Sequence, residues 1–177
     1  QELISLFVPG DTRKEVTVGV PGGFYDADSV FHALPTSTNQ TYTKKYFDSS
    51  PVRADSKANW KVIRYADVLL MYAEALNENG KPQQAIPFLN QVRTRAGLEG
   101  YPNTMSQTET RDAIVLERRL ELSFEGVRWF DLVRTGKAYE VMKDKGMAPY
   151  MTVFPIPLSQ VQIINDPTIF PQNPGYD

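Results

Sequence analysis

Glu117, Glu121 and Glu125 recur every four residues within Glu117-Arg-Arg-Leu-Glu-Leu-Ser-Phe-Glu125. On a helix this interval sets their Cβ atoms about 6 Å apart along one face. Carboxylates so arranged have three uses. A di-metal centre in a helical bundle needs Glu-x-x-His from paired helices, and no such histidine exists here. A glycosidase needs two carboxyls about 5 Å or about 6.5–9.5 Å apart across a sugar. Glu121 with Glu125 or Asp67 offers such a pair, and the spacing does not forbid it. The third use is ion pairing with Arg64, Arg118, Arg119, Arg128 or Arg134. Arginine is so abundant nearby that ion pairing is the preferred reading. Burial would make it close to obligatory, because an unpaired buried charge is very costly.

Little other reactive chemistry is available. His32 is the only histidine and there is no cysteine. That removes zinc sites built from His and Cys, thiol catalysis, disulfides, and any Ser-His pair away from His32. His32, between Phe31 and Ala33, reads as a polar loop or edge residue. The glycines form neither a phosphate cradle nor a nucleophile elbow. No metal or cofactor is expected.

Aromatic residues are a better source of recognition. Eight of the twenty fall in the first sixty residues: Phe7, Phe24, Tyr25, Phe31, Tyr42, Tyr46, Phe47 and Trp60. In so loop-rich a region they cannot all belong to a helical core. Some pack the loops down; others offer flat faces on which sugar rings stack. Tyr25, Tyr42, Tyr46 and Trp60 are the ligand candidates, because their polar neighbours imply exposure.

These groups need a frame. A chain of 177 residues with 41% hydrophobic and 23% charged residues buries a real core. The net charge of -2, without a basic stripe, argues against nucleic acid. No apolar run approaches the ~20 residues of a membrane span. The chain starts at Gln1 with no signal-peptide pattern, and it is expected to be a fragment of a longer protein.

Residues 1–58 show no helical period and are punctuated by Gly and Pro. Val16, Val18 and Val20 alternate as in a short strand, and Tyr42–Phe47 is a second extended candidate. From Asn59 a helical period begins. Ile63, Ala66, Leu70 and Ala73 make one stripe; Val62, Tyr65, Leu69, Tyr72 and Leu76 make an adjacent one. A helix so apolar is expected to pack on two sides, or, in a fragment, to leave one face exposed. Asn79-Gly80 stops it. The next helix carries Pro82 at its first turn and ends at Gly97; Pro87 should bend it or delay its start. A linker of about three residues makes the pair an antiparallel hairpin. Ser106-Gln-Thr-Glu109 matches a capping box. The third helix is expected to run past a bend at Gly126 to the stop at Gly136. A fourth spans Ala138–Lys145. In the tail, which holds six of thirteen prolines, Tyr150–Phe154 reads as a strand, Pro155-Ile-Pro157 as extended, and the whole should wrap back on the helices.

Three segments resemble the SusD/RagB family: Trp60–Gly80 with Asn90-Gln-Val-Arg-Thr-Arg-Ala-Gly97; Glu117–Arg134; and Phe154-Pro-Ile-Pro157 closing with Gln172-Asn-Pro-Gly-Tyr176. The resemblance runs from about residue 40 to the end. It implies a mainly α fold of tetratricopeptide-like hairpins, with a loop-rich, ligand-facing segment over residues 1–58 and a helical region with an extended, Pro-rich tail over 59–177. It further implies a non-catalytic, glycan-binding lipoprotein on the outer face of a bacterial outer membrane. Such a protein hands oligosaccharides to a SusC-like, TonB-dependent transporter and is anchored by an N-terminal lipid absent from this chain. Pro87 departs from the family's usually uninterrupted helix. A protein-interaction scaffold and a glycoside hydrolase are the alternatives.

Overall fold

The structure, a computed structural model, describes residues 2–19, 22–25, 30–33, 41–46 and 58–176, with only the backbone of 23–25. The chain forms two compact units, Gln1–Gly126 and Val127–Asp177.

The first unit is built on three helices: α3 (Tyr65–Glu78), α4 (Pro82–Arg95) and α5 (Gln107–Glu121). Ala66, Leu69, Leu70 and Ala73 of α3 meet Ala85, Leu89 and Val92 of α4 and Ala113 and Ile114 of α5. Burying a side chain such as Leu70 or Leu89 contributes about 1.5–3 kcal/mol. Gly80, at φ +73°, closes α3 and lets α4 turn back along it. The capping box at Ser106 and Glu109 is formed, each side chain satisfying the other's backbone amide.

α3 packs against both α4 and α5, as so apolar a helix should, while Tyr65 and Tyr72 of its second stripe, and Val62 before it, are exposed. Two other expectations need correction. α4 is helical from Pro82 onward and includes Pro87, so its start is not delayed. α5 ends at Glu121 instead of continuing toward Gly136, since Phe124 (φ 63°) and Gly126 (φ 84°) are both left-handed.

The N-terminal segment holds two helices that no periodicity announced, α1 (Glu2–Leu6) and α2 (Arg13–Thr17). Five residues are too few to display a period. Phe7 and Val18 bury against Leu120 of α5, with Leu3, Ile4 and Leu6 alongside. The Thr12 amide and hydroxyl both donate to the Ala96 carbonyl, at 3.0 and 3.2 Å. The valine strand contracts to β1 (Val18–Gly19), because Val16 lies in α2; Val20 lies outside the described residues. It pairs antiparallel with β4 (Tyr42–Thr43), while β2 (Gly23–Tyr25) pairs with β3 (Phe31–Ala33). Of the Tyr42–Phe47 candidate, only Tyr42 and Thr43 are strand; Lys45 and Tyr46 turn, and Phe47 lies outside the described residues.

The second unit contains α6 (Arg128–Arg134), α7 (Ala138–Met142) with a tight 3-10 turn at Lys143–Lys145, and α8 (Leu158–Ile164). Tyr150–Phe154 is not a strand. Pro149–Thr152 forms a 3-10 turn with the proline at its start, and the chain extends from Val153. Pro155 and Pro157 have no N–H, so Ile156 carries the only amide between them. Gln172 satisfies it with one side chain: the Ile156 amide donates to its Oε1 at 2.6 Å, and its Nε2 donates back to the Ile156 carbonyl at 2.8 Å. Asn173 and the Tyr176 hydroxyl bond the Phe154 and Val153 carbonyls.

Candidate functional site

The three glutamates are inward-facing, and each is met by cations. Glu117 is 0% exposed. Its two oxygens accept from Arg13 Nη1 and Arg93 Nη1, both at 2.7 Å. Arg13 is itself clamped by Asp11 through two side-chain bonds of 2.9 and 2.7 Å. Glu121 Oε1 accepts from Arg64 at 2.8 Å and from Arg95 at 2.6 Å. Glu125 receives the Nε and Nη2 of Arg64, at 2.9 and 2.6 Å, and lies 2.5 Å from Lys45 Nζ. Lys45 also donates to the backbone carbonyl of Glu121. Asp67, the other acid weighed for hydrolysis, pairs with Arg118 at 2.8 Å.

A general acid needs a proton to give, which requires a raised pKa. The reverse holds at Glu125. Burial pushes its carboxyl up, but hydrogen bonds from Arg64 and Lys45 outweigh this and hold it below the usual carboxylate range. Glu117 and Glu121 of α5, and Glu125 past the end of that helix and off its face, tie this segment to α2, α4, the Lys45 turn and the segment before α3. Ion pairing was the expected use, and of the expected partners Arg64 is seen to serve these glutamates among the described residues. Arg13, Lys45, Arg93 and Arg95 were not foreseen. Arg13 lies 104 positions from Glu117, beyond the reach of any local pattern. Among the described residues, no group of three His, Asp or Glu side chains could hold a metal ion.

The aromatic candidates separate. Tyr42 lies opposite Gly19 and its ring covers that residue so closely that an added Cβ would sit 1.8 Å from it. Its face is spent on the backbone. Tyr25 lies in the β2–β3 hairpin opposite Phe31, and its side chain is outside the described residues. Tyr46 and Trp60 come together. The Tyr46 hydroxyl is pushed up by burial and by Glu125, opposed by Arg64 and by a hydrogen bond from Trp60. Trp60 thus adjoins the Tyr46 hydroxyl while 63% exposed. Lys45, the neighbour of Tyr46, fixes this turn to the end of α5.

Beside this pair, Arg64 also lines a groove of about 730 Å³ between the start of α3 and the last two turns of α4. Its floor is Ala66, Leu69 and Val92; its walls are Arg64, Tyr65, Gln91, Thr94 and Arg95. No sequence motif marks it, because it is produced by the crossing of two helices.

Residues 4–153 match the model of the SusD family. The chain belongs to that family. The SusD-family match starts well before the resembling segments and stops short of Phe154–Pro157 and Gln172–Tyr176, so the tail is not part of it. It covers the glutamate ladder, Tyr46, Trp60 and the groove. SusD-like protein P2 of Formosa agariphila is 32% identical over 157 residues, 79% of this chain and 31% of that protein. A SusD superfamily protein from Parabacteroides distasonis superposes with a TM-score of 0.76 at 31% identity, over 99% of this chain and 41% of that one. A laminarin-binding SusD-like protein does so with a TM-score of 0.68 at 34% identity, over 99% and 37%. The chain therefore spans about a third of the length of the curated relative. The SusD-like fold agrees with the mainly α architecture of helical hairpins expected from the sequence.

Proposed function

We propose that this SusD-family protein binds glycans at the bacterial cell surface without cleaving them. Residues 1–58 are the ligand-facing part, and the helices of 59–177 are its support. The observation that carries the reading is the Tyr46–Trp60 pair: an exposed indole held by its N–H, its turn pinned to the scaffold by Lys45. Such a face suits stacking on the C–H side of a sugar ring. The binding protein for laminarin with the same fold supports the ligand class. Tyr25 remains a further candidate contact, whereas Tyr42 serves as a strut behind the turn. The carboxylates a hydrolase would use are held by arginine and lysine, which favours binding over turnover. Binding is weak per site, because sugar hydroxyls exchange water for protein partners with little net gain.

In this reading the whole protein is lipid-anchored on the outer face of the outer membrane and passes oligosaccharides to a SusC-like, TonB-dependent transporter. Family membership supports this placement. Electrophoresis through gels loaded with single polysaccharides tests the ligand class: at least one glycan should retard the protein, and Trp60→Ala should restore its mobility. Free migration through every glycan would refute the reading.

A second reading, a protein-interaction scaffold, draws on the exposed Tyr65 and Tyr72 of α3 and on Val62 just before it. Capture of a membrane transporter that persists when sugar is removed would favour it.

A further inference from the structure

The groove beside Trp60 has a chemical character that stacking alone does not use. Its walls contribute two guanidinium groups and no carboxylate. Arg64 is committed: Nε, Nη1 and Nη2 all donate to Glu121 or Glu125. Arg95 is not. Only its Nη2 is engaged, with Glu121 at 2.6 Å, and its side chain is 59% exposed. Its Nε and Nη1 have no hydrogen-bond partner among the described residues. Each of these N–H groups can donate a charge-assisted hydrogen bond to one oxygen of a carboxylate or sulfate.

The surroundings narrow the ligand. Gln91 and Arg95 are one helical turn apart, so the amide and the guanidinium share one face of α4 with Thr94 beside them. Across from them stands Tyr65, 72% exposed, above an apolar floor. A hydroxyl-bearing ring with one apolar face and one anionic substituent meets all of these groups; a neutral sugar leaves the Arg95 edge unused. Arg64 lines the groove and also acts on the Tyr46 hydroxyl, which places the groove near the Tyr46–Trp60 pair.

We propose that this groove is a subsite for an acidic sugar, carboxylated or sulfated, within the glycan that stacks on Trp60. The inference rests on the glycan-binding reading and names its substrate class.

The test is calorimetric titration with three oligosaccharides of matched length: neutral laminarin, polygalacturonate and sulfated carrageenan fragments. The quantity read is the affinity for a charged probe divided by that for the neutral one. That ratio should exceed one and should fall about five-fold in Arg95→Gln. It should also shrink at high salt, as an exposed ionic contact does. Gln91→Glu, which leaves the Arg95–Glu121 pair intact and sets a negative charge on the wall, should lower it too. The charged probe that keeps the higher ratio separates carboxylate from sulfate. Equal affinity for all three probes, or a ratio that both substitutions leave unmoved, overturns the inference and leaves the glycan reading in place. Failure of all three probes to bind overturns the inference; the glycan reading falls with it only if the protein also migrates freely through every glycan in the gels.

Discussion

Glu117 shows why these acids are scaffold. A carboxylate with no exposure, held between Arg13 and Arg93, is tolerated because both oxygens are hydrogen-bonded. Removing its charge leaves two arginines facing each other without their shared partner. Glu117→Gln should cost about 3 kcal/mol, read as a lowered midpoint in urea. Glu125 makes a pH prediction. Its folded-state pKa is depressed, so its contribution is present above the ordinary carboxylate value of about 4.3 and is lost as pH falls below that toward the depressed value. Urea unfolding from pH 7 down to about pH 3 should therefore show an acid loss that is smaller in Glu125→Gln than in the parent chain. The need for cations was legible from the spacing of the glutamates. Their identity was not: Arg13, Lys45, Arg93 and Arg95 reach the ladder from other elements.

At the level of elements, length decided what could be read. α3, α4 and α5 each run at least 14 residues and display their buried stripes in the sequence. α1 and α2 have five residues each, less than two turns, and take their places through Phe7 and Arg13. The third helix was read too long because Leu120, Phe124 and Val127 keep a helical spacing, although Phe124 is left-handed. α8 went unread behind Pro155 and Pro157, which its first turn follows directly. Pro87 makes a prediction at this scale. It is exposed, and it deprives α4 of the bond its amide would make to the Gln83 carbonyl. Pro87→Ala should stabilise the protein by about 2 kcal/mol, seen as a higher melting temperature. Ser106→Ala should cost about 1 kcal/mol by removing the cap of α5.

For the molecule as a whole, the division of labour is between charge and surface. Opposite charges are consumed inside the first unit, where they lock helices and the Lys45 turn into one frame. Among the groups left outward are the Trp60 indole, Tyr65 and a groove edged by the Arg95 guanidinium. The family was reached through the resemblance of its helical segments, Trp60–Gly97 and Glu117–Arg134, which lie within the matched residues 4–153. The placement of the aromatic candidates was not legible in the sequence: Tyr46 and Trp60 lie together, while the ring of Tyr42 lies against Gly19, because each is placed by elements distant in the chain. The most direct test is a single calorimetric titration of the protein with an oligosaccharide retained in gels. The account predicts a saturable heat that decays to baseline after each injection and is lost in Trp60→Ala. A steady heat of continuing turnover that disappears in Glu121→Gln would contradict it.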